Sequence, residues 1–156
     1  MATAEQRLAE LGLELPPPPG AVASYEPWSR AGNMVYTSGQ LPWRDGRTLL
    51  FKGAVGRDLT VEQGIGACQL ATLNAIAQLK QAAGGDLERV RRIVRLEGSI
   101  HIASGYTDSA PKVLNGASET LAAVFGERGR HSRMIYTFPE MLLGTACLIV
   151  LWGEVE

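Results

Sequence analysis

Apolar residues fall into two kinds of rhythm along the chain. Val61, Ile65, Cys68, Thr72, Ile76 and Leu79 recur with a 3.6-residue period, which predicts a helix from Leu59 to about Ala83. Thr60 is its N-cap, with Glu62 and Gln63 behind it, and Gly84-Gly85 stops it. Ala67, Leu70, Ala71, Leu73 and Ala77 widen the apolar stripe, so the helix packs on a sheet. A second helix is predicted from about Ala110 to Phe125. Val113, Leu114, Ala117, Leu121, Val124 and Phe125 form its apolar face, Pro111 sits in its first turn, and Gly126 and Gly129 end it. A short helix over Thr3 to Leu11 is capped by Thr3, carries Glu5 in its first turn and Leu8 and Leu11 three apart, and stops at Gly12.

Other segments keep a period of two or a β-prone composition. Val22 to Tyr25 begin a strand that Pro27 interrupts, and Met34 to Ser38 follow the Gly32-Asn33 turn as a hairpin partner. Asp45-Gly46 marks another turn before a short third strand, Thr48 to Phe51. From Val90 to about Ile102, Val94, Leu96, Gly98 and Ile100 point one way, and Ile93, Arg95, Glu97, Ser99 and His101 the other. Ser132 to Phe138 and Thr145 to Val155 close the chain, and Ala146 to Trp152 is apolar on both faces, as in a strand buried on both sides. The order β-β-(β)-α-β-α-β-β predicts an α+β sheet with two helices on one face. The face lined by Arg95, Glu97, Ser99 and His101 then needs cover from another subunit.

The 156 residues support one domain, 1–156, with residues 1–20 as an N-terminal helix and proline-rich extension whose Pro16 to Pro19 form a stiff spacer. Charge is nearly balanced, 15 Lys+Arg against 16 Asp+Glu, which argues against nucleic acid or an anionic membrane as partner. No apolar run approaches the ~20 residues of a membrane span, and the polar start is no signal peptide. Cys68 and Cys147 lie in apolar contexts without metal spacing and read as reduced core thiols of a cytoplasmic protein.

Candidate chemistry is sparse. Two His and two Cys stand far apart, so no metal set is predicted, and neither a phosphate-binding loop nor a nucleophile elbow is present. Thr37-Ser38-Gly39-Gln40 places a hydroxyl and a glycine at a strand end, as a site or as a plain turn. In Gly129-Arg130-His131-Ser132-Arg133, His131 and Arg133 share a strand face. Arg133 suits bidentate carboxylate binding, or else a surface ion pair with Glu127 or Glu140. Asn115-Gly116 reads as a turn or as a ligand-binding amide.

Together Tyr25, Thr37 to Pro42, Val113 to Gly116 and Gly129 to Arg133 resemble the RidA/YjgF family, in matching order over nearly the whole chain. Leu11 to Pro16 and Gly53 to Thr60 resemble its longer branch. The resemblance implies a chorismate-mutase-like fold and a homotrimer with sites between subunits. It also implies cofactor-free hydrolysis of reactive enamines and imines of small carboxylates to a keto acid and ammonia. By the same resemblance Arg133 grips the substrate carboxylate, while Tyr25, Ser38, the Gly39 backbone and Asn115 shape the pocket.

One departure stands out. The family's last strand carries a glutamate that positions the attacking water. Counting from Arg133, and separately from Leu142, that position falls on Leu148, within Cys147-Leu148-Ile149-Val150. Losing a general acid/base costs ~10²–10⁴ in rate. Glu97 and His101 are the candidate replacement couple, or else structural partners of Arg95 or a neighbouring subunit. Three readings stay open: an imine deaminase, a divergent enzyme steering an imine to condensation or cyclisation, and a non-catalytic binding trimer.

Overall fold

The computed structural model describes residues 1–18, 20 and 23–156. Helix α1 spans Ala4–Glu10, strand β1 Trp28–Ala31, β2 Met34–Thr37, helix α2 Val61–Ala82, β3 Val90–His101, α3 Ala110–Phe125, β4 Ser132–Phe138 and β5 Cys147–Val155. One five-stranded sheet has the order β1-β2-β5-β3-β4. All its pairs are antiparallel except β3 with β4, whose crossover is α3.

Local chemistry sets the helix ends. Thr3 with Gln6 and Thr60 with Gln63 each form a reciprocal capping box. Both long helices lie on one face, where Ile76, Leu79, Leu114 and Leu121 meet Leu96, Ile100, Ile149 and Leu151 in the buried core. The helices touch where Gly116 lacks a side chain, since a Cβ there would strike the Ile65 carbonyl of α2. Glu5 and Glu88 tie α1 to the turn before β3: Leu87 N–H donates to Glu5 at 3.0 Å and Ala4 N–H to Glu88 at 2.8 Å. Cys68 and Cys147 are buried beside one another, and burial together with the neighbouring sulfur pushes the Cys147 thiol well up.

Four expectations need correction. Thr48 to Phe51 is not a strand; it makes only isolated bridges, Leu49 with Trp43 and, just beyond it, Lys52 with Thr145. The first strand lies after Pro27, not before it: residues 23–25 form a bend, while Val22 and Pro19 fall outside the described residues. Ile93 faces the helices with Leu96, because an irregularity between Ile93 and Arg95 shifts the pleat by one residue. Leu11 is exposed, leaving Leu8 as the buried anchor of α1.

The outer face of the sheet is more apolar than the sequence pattern of β3 predicts. Met134, Tyr136 and Phe138 stand there 43%, 39% and 42% exposed. Leu148, Val150 and Trp152 lie on the same side, half-buried. Arg95 stacks over Trp152 at 5.5 Å, and Tyr36 meets that ring edge-on at 5.4 Å.

Candidate functional site

Two clusters of sequence-predicted residues form, at opposite sides of the sheet. The first follows β2. Ser38 leaves the strand with its N–H on the Pro27 carbonyl at 2.9 Å and its hydroxyl on the Glu26 carbonyl at 2.5 Å. Gln40 then rejoins the sheet by pairing with Ile149. Between them Gly39 presses on β5: a Cβ at this position would lie 2.6 Å from Leu148 Cδ2. Tyr25, Ser38, Gly39, Trp43, Leu142 and Leu143 line a cavity of about 110 Å³ here. Leu143 holds φ of 55°, a left-handed conformation in the turn before β5, and its side chain is 65% exposed at the cavity rim.

The second cluster lies where β4 begins. Arg133 points to the helix side of the edge strand, and its Nη1 donates to Asn115 Oδ1 at 2.9 Å and to Ser118 Oγ at 3.2 Å. Its Nη2 makes one long bond, 3.4 Å, to the Pro111 carbonyl. Its Nε makes none among the described residues, so much of the edge that grips a carboxylate with two parallel N–H groups is unengaged. No carboxylate of the described residues pairs with it; Glu127 pairs instead with Arg130 at 3.3 Å, both fully at the surface. His131 completes the group, with Nε2 2.9 Å from Ser118 Oγ and Nδ1 2.6 Å from the Gly129 carbonyl.

Glu97 and His101 do not come together. Four residues along one strand separate them by about 13 Å. Glu97 pairs with Arg95 at 3.0 Å on the outer face. His101 is 5% exposed, and its ring bridges the Thr145 and Pro139 carbonyls at 3.1 Å each. That ring braces the segment between β4 and β5.

Within one chain the two clusters remain apart as well. β2 and β4 lie three strand spacings from each other, about 14 Å. Ser118 belongs to no motif in the sequence, although three residues after Asn115 on a helix is the same face. Among the described residues no group of three or more His, Cys, Asp or Glu gathers as a metal would require, and no helix is long and apolar enough to cross a membrane.

Comparison with known proteins places this geometry. Residues 5–155 match the family described as YjgF/chorismate_mutase-like, putative endoribonuclease. A curated relative, Protein TCP17 of Trypanosoma cruzi, is 35% identical over 140 residues, covering 89% of this chain and 86% of its own. The crystal structure of a putative endoribonuclease from Shewanella oneidensis superposes with a TM-score of 0.93 at 50% identity, covering 99% of this chain and 100% of the other. Escherichia coli TdcF, solved with bound serine, shares the fold at a TM-score of 0.59 and 20% identity, over 90% of this chain and 94% of the other.

Proposed function

The chain belongs to the YjgF/chorismate_mutase-like family, and on that premise we propose that it acts, without a cofactor, on reactive enamine or imine forms of small carboxylates as a homotrimer. The observation that carries this reading is Arg133. It is half-buried, pinned by Asn115, free of any carboxylate partner among the described residues, and turned so that an Nε–Nη2 edge is available. A planar guanidinium in that state suits a substrate carboxylate. The bound serine of TdcF, in the same fold, is a ligand of that class.

The trimer brings the two clusters to one place. An apolar outer sheet face of Met134, Tyr136, Phe138 and Trp152 favours burial against another copy. A threefold neighbour would then set one subunit's Arg133 and Asn115 against the other's Tyr25, Ser38 and Gly39. Near-neutral charge speaks for a small-molecule substrate over RNA.

A second reading follows from Leu148. Hydrolysis needs a group that holds and deprotonates water, and the side chain packed on Gly39 is a hydrocarbon. A dry pocket protects an imine for condensation or cyclisation. Ammonia release from a freshly generated 2-imino acid separates the two. Release above the uncatalysed rate supports the deaminase. A larger imine consumed without ammonia supports the divergent enzyme, and neither result leaves only a binding role for the trimer.

A further inference from the structure

We infer that Ser118 is a base-activated nucleophile and that the Ser118–His131–Arg133 group forms an acyl-transfer site for small carboxylic esters. In the neutral imidazole the hydrogen-bond directions follow from the partners. The Gly129 carbonyl can only accept, so His131 Nδ1 carries the ring proton in the neutral imidazole. Nε2 is then a bare lone pair, and it lies 2.9 Å from Ser118 Oγ. The Ser118 hydroxyl therefore donates to His131. On its other side the same oxygen accepts from the Arg133 guanidinium at 3.2 Å. A hydroxyl placed between a base and a fixed cation is set to lose its proton, and the cation favours the alkoxide.

The arrangement is built rather than incidental. Thr72 and Thr120, on the same two helices, return their hydroxyls to the carbonyl four residues back, Cys68 at 2.7 Å and Gly116 at 2.6 Å. That is the usual retreat of a helical hydroxyl. Ser118 instead faces the ring. The ring's orienting carbonyl is held by Gly129, whose missing side chain lets the turn sit directly on the Leu121 carbonyl of α3. Ser118, His131 and Arg133 are all half-buried, ordered yet within reach of a small molecule.

The step balances with water as the only co-reactant. Ser118 Oγ bonds to the ester carbonyl carbon as its proton passes to His131 Nε2. The tetrahedral oxyanion is held by the Arg133 N–H groups. Collapse breaks the carbon–oxygen bond to the alcohol, which leaves with the proton from His131. Water, deprotonated by His131, then attacks the acyl carbon, and the acid leaves as the acyl C–O bond breaks and Ser118 Oγ takes the proton back from His131. This chemistry involves no imine; it shares Arg133 with the activity proposed above but rests on the Ser118–His131 pair, which that activity does not use.

Phenylmethylsulfonyl fluoride tests it directly. The full chain is treated with the reagent and followed by intact mass and peptide mapping, with 4-nitrophenyl acetate as a second probe. One sulfonyl adduct on Ser118 is expected, together with a 4-nitrophenol burst of one per chain. Ser118→Ala should abolish both. His131→Gln should slow labelling about 10²-fold or more, with circular dichroism checking that it folds. No adduct, an adduct elsewhere, or equal labelling of a folded His131→Gln protein overturns the proposal. If that variant does not fold, labelling of Ser118 in the wild type is compared with N-acetylserinamide. A rate no faster than the free serine overturns it equally.

Discussion

Leu148 occupies the space that a side chain at position 39 would need. Its Cδ2 lies 2.6 Å from where a Gly39 Cβ would stand, and the three atoms nearest to such a Cβ all belong to Leu148. Gly39 and Leu148 are thus one packing unit joining the loop after β2 to the start of β5. Ser38, Tyr25 and Gln40 bring polar groups to the wall of the adjoining cavity, which Gly39 also lines. The unit makes the character of position 148 a property of the site and not of the core alone.

Arg133→Ala should abolish binding of small carboxylate ligands while the protein stays folded. Removing a charge-assisted contact of this kind costs about 2–5 kcal/mol of binding. Arg133→Lys should recover little, because an ammonium cannot reproduce the planar fork that Asn115 orients. Isothermal titration with a 2-keto acid checks both, and normal binding by the alanine variant would remove Arg133 from the site.

Light scattering should give a mass near three chains at micromolar concentration. A charge at the centre of the apolar outer face, Val150→Asp, should shift that mass toward one chain, because an unpaired buried carboxylate is costly. A stable wild-type monomer would contradict the trimer and, with it, the pairing of the two clusters across subunits.

Gly116→Ala sets two effects against each other. Helix propensity alone favours alanine by about 1 kcal/mol. Here the new methyl meets the Ile65 backbone carbonyl, which cannot rotate away. Overpacking of this sort costs about 1–3 kcal/mol, so the variant should be destabilised, with a lower urea midpoint and an unchanged slope. A gain in stability would mean that α2 and α3 can slide apart freely.

The two long helices are legible because their signals are local: a 3.6-residue stripe in both, a capping threonine at the start of α2 and a first-turn proline in α3. The segments near residues 22–31 and 48–51 are less legible, because β-prone composition does not fix where a ladder begins or whether one forms. β1 does form a local hairpin with β2, but after Pro27 and not before it, and Thr48 to Phe51 has only scattered backbone bonds, such as Leu50 N–H to the Pro42 carbonyl and Ala146 N–H to the Phe51 carbonyl, so its β-prone composition yields no ladder. The parallel pairing of β3 with β4 and the irregularity that turns Ile93 inward are set by distant contacts. At the site, Arg133 and Asn115 could be matched from the sequence as separate motifs. Ser118 could not, because its significance depends on which way its hydroxyl turns.

Asp58 should control part of the acid stability. Its carboxylate accepts from Arg57 Nη2 at 3.0 Å and from the Ala54 N–H at 2.9 Å, and these bonds, Arg57 foremost, hold it below the usual carboxylate range. A lowered folded value means that the unfolded chain binds the proton more tightly. The stabilisation is therefore complete above the ordinary aspartate value, near 4, and is lost as pH falls through the folded one. Asp58→Asn should lower the urea midpoint at neutral pH, and its deficit should shrink below about pH 4. A deficit that is constant with pH would assign the effect to packing against Gly53.

Leu148→Glu is the variant that discriminates between the proposed activities. A leucine has no lone pair, so water at the Gly39 wall is neither held nor deprotonated there, and the wild type should hydrolyse small 2-imino acids weakly. Glutamate at 148 places a base beside the Ser38–Gly39 loop, and ammonia release should rise toward the ~10²–10⁴-fold that such a base contributes. The gain should be partial at neutral pH. Position 148 is half-buried on the same face as Val150, and an apolar setting raises a carboxyl pKa. Activity should therefore climb as pH rises and the glutamate ionises. A variant that binds carboxylates normally yet gains no hydrolysis at any pH would show that position 148 does not face the reacting carbon. Rapid hydrolysis by the wild type would show that water is activated from another residue.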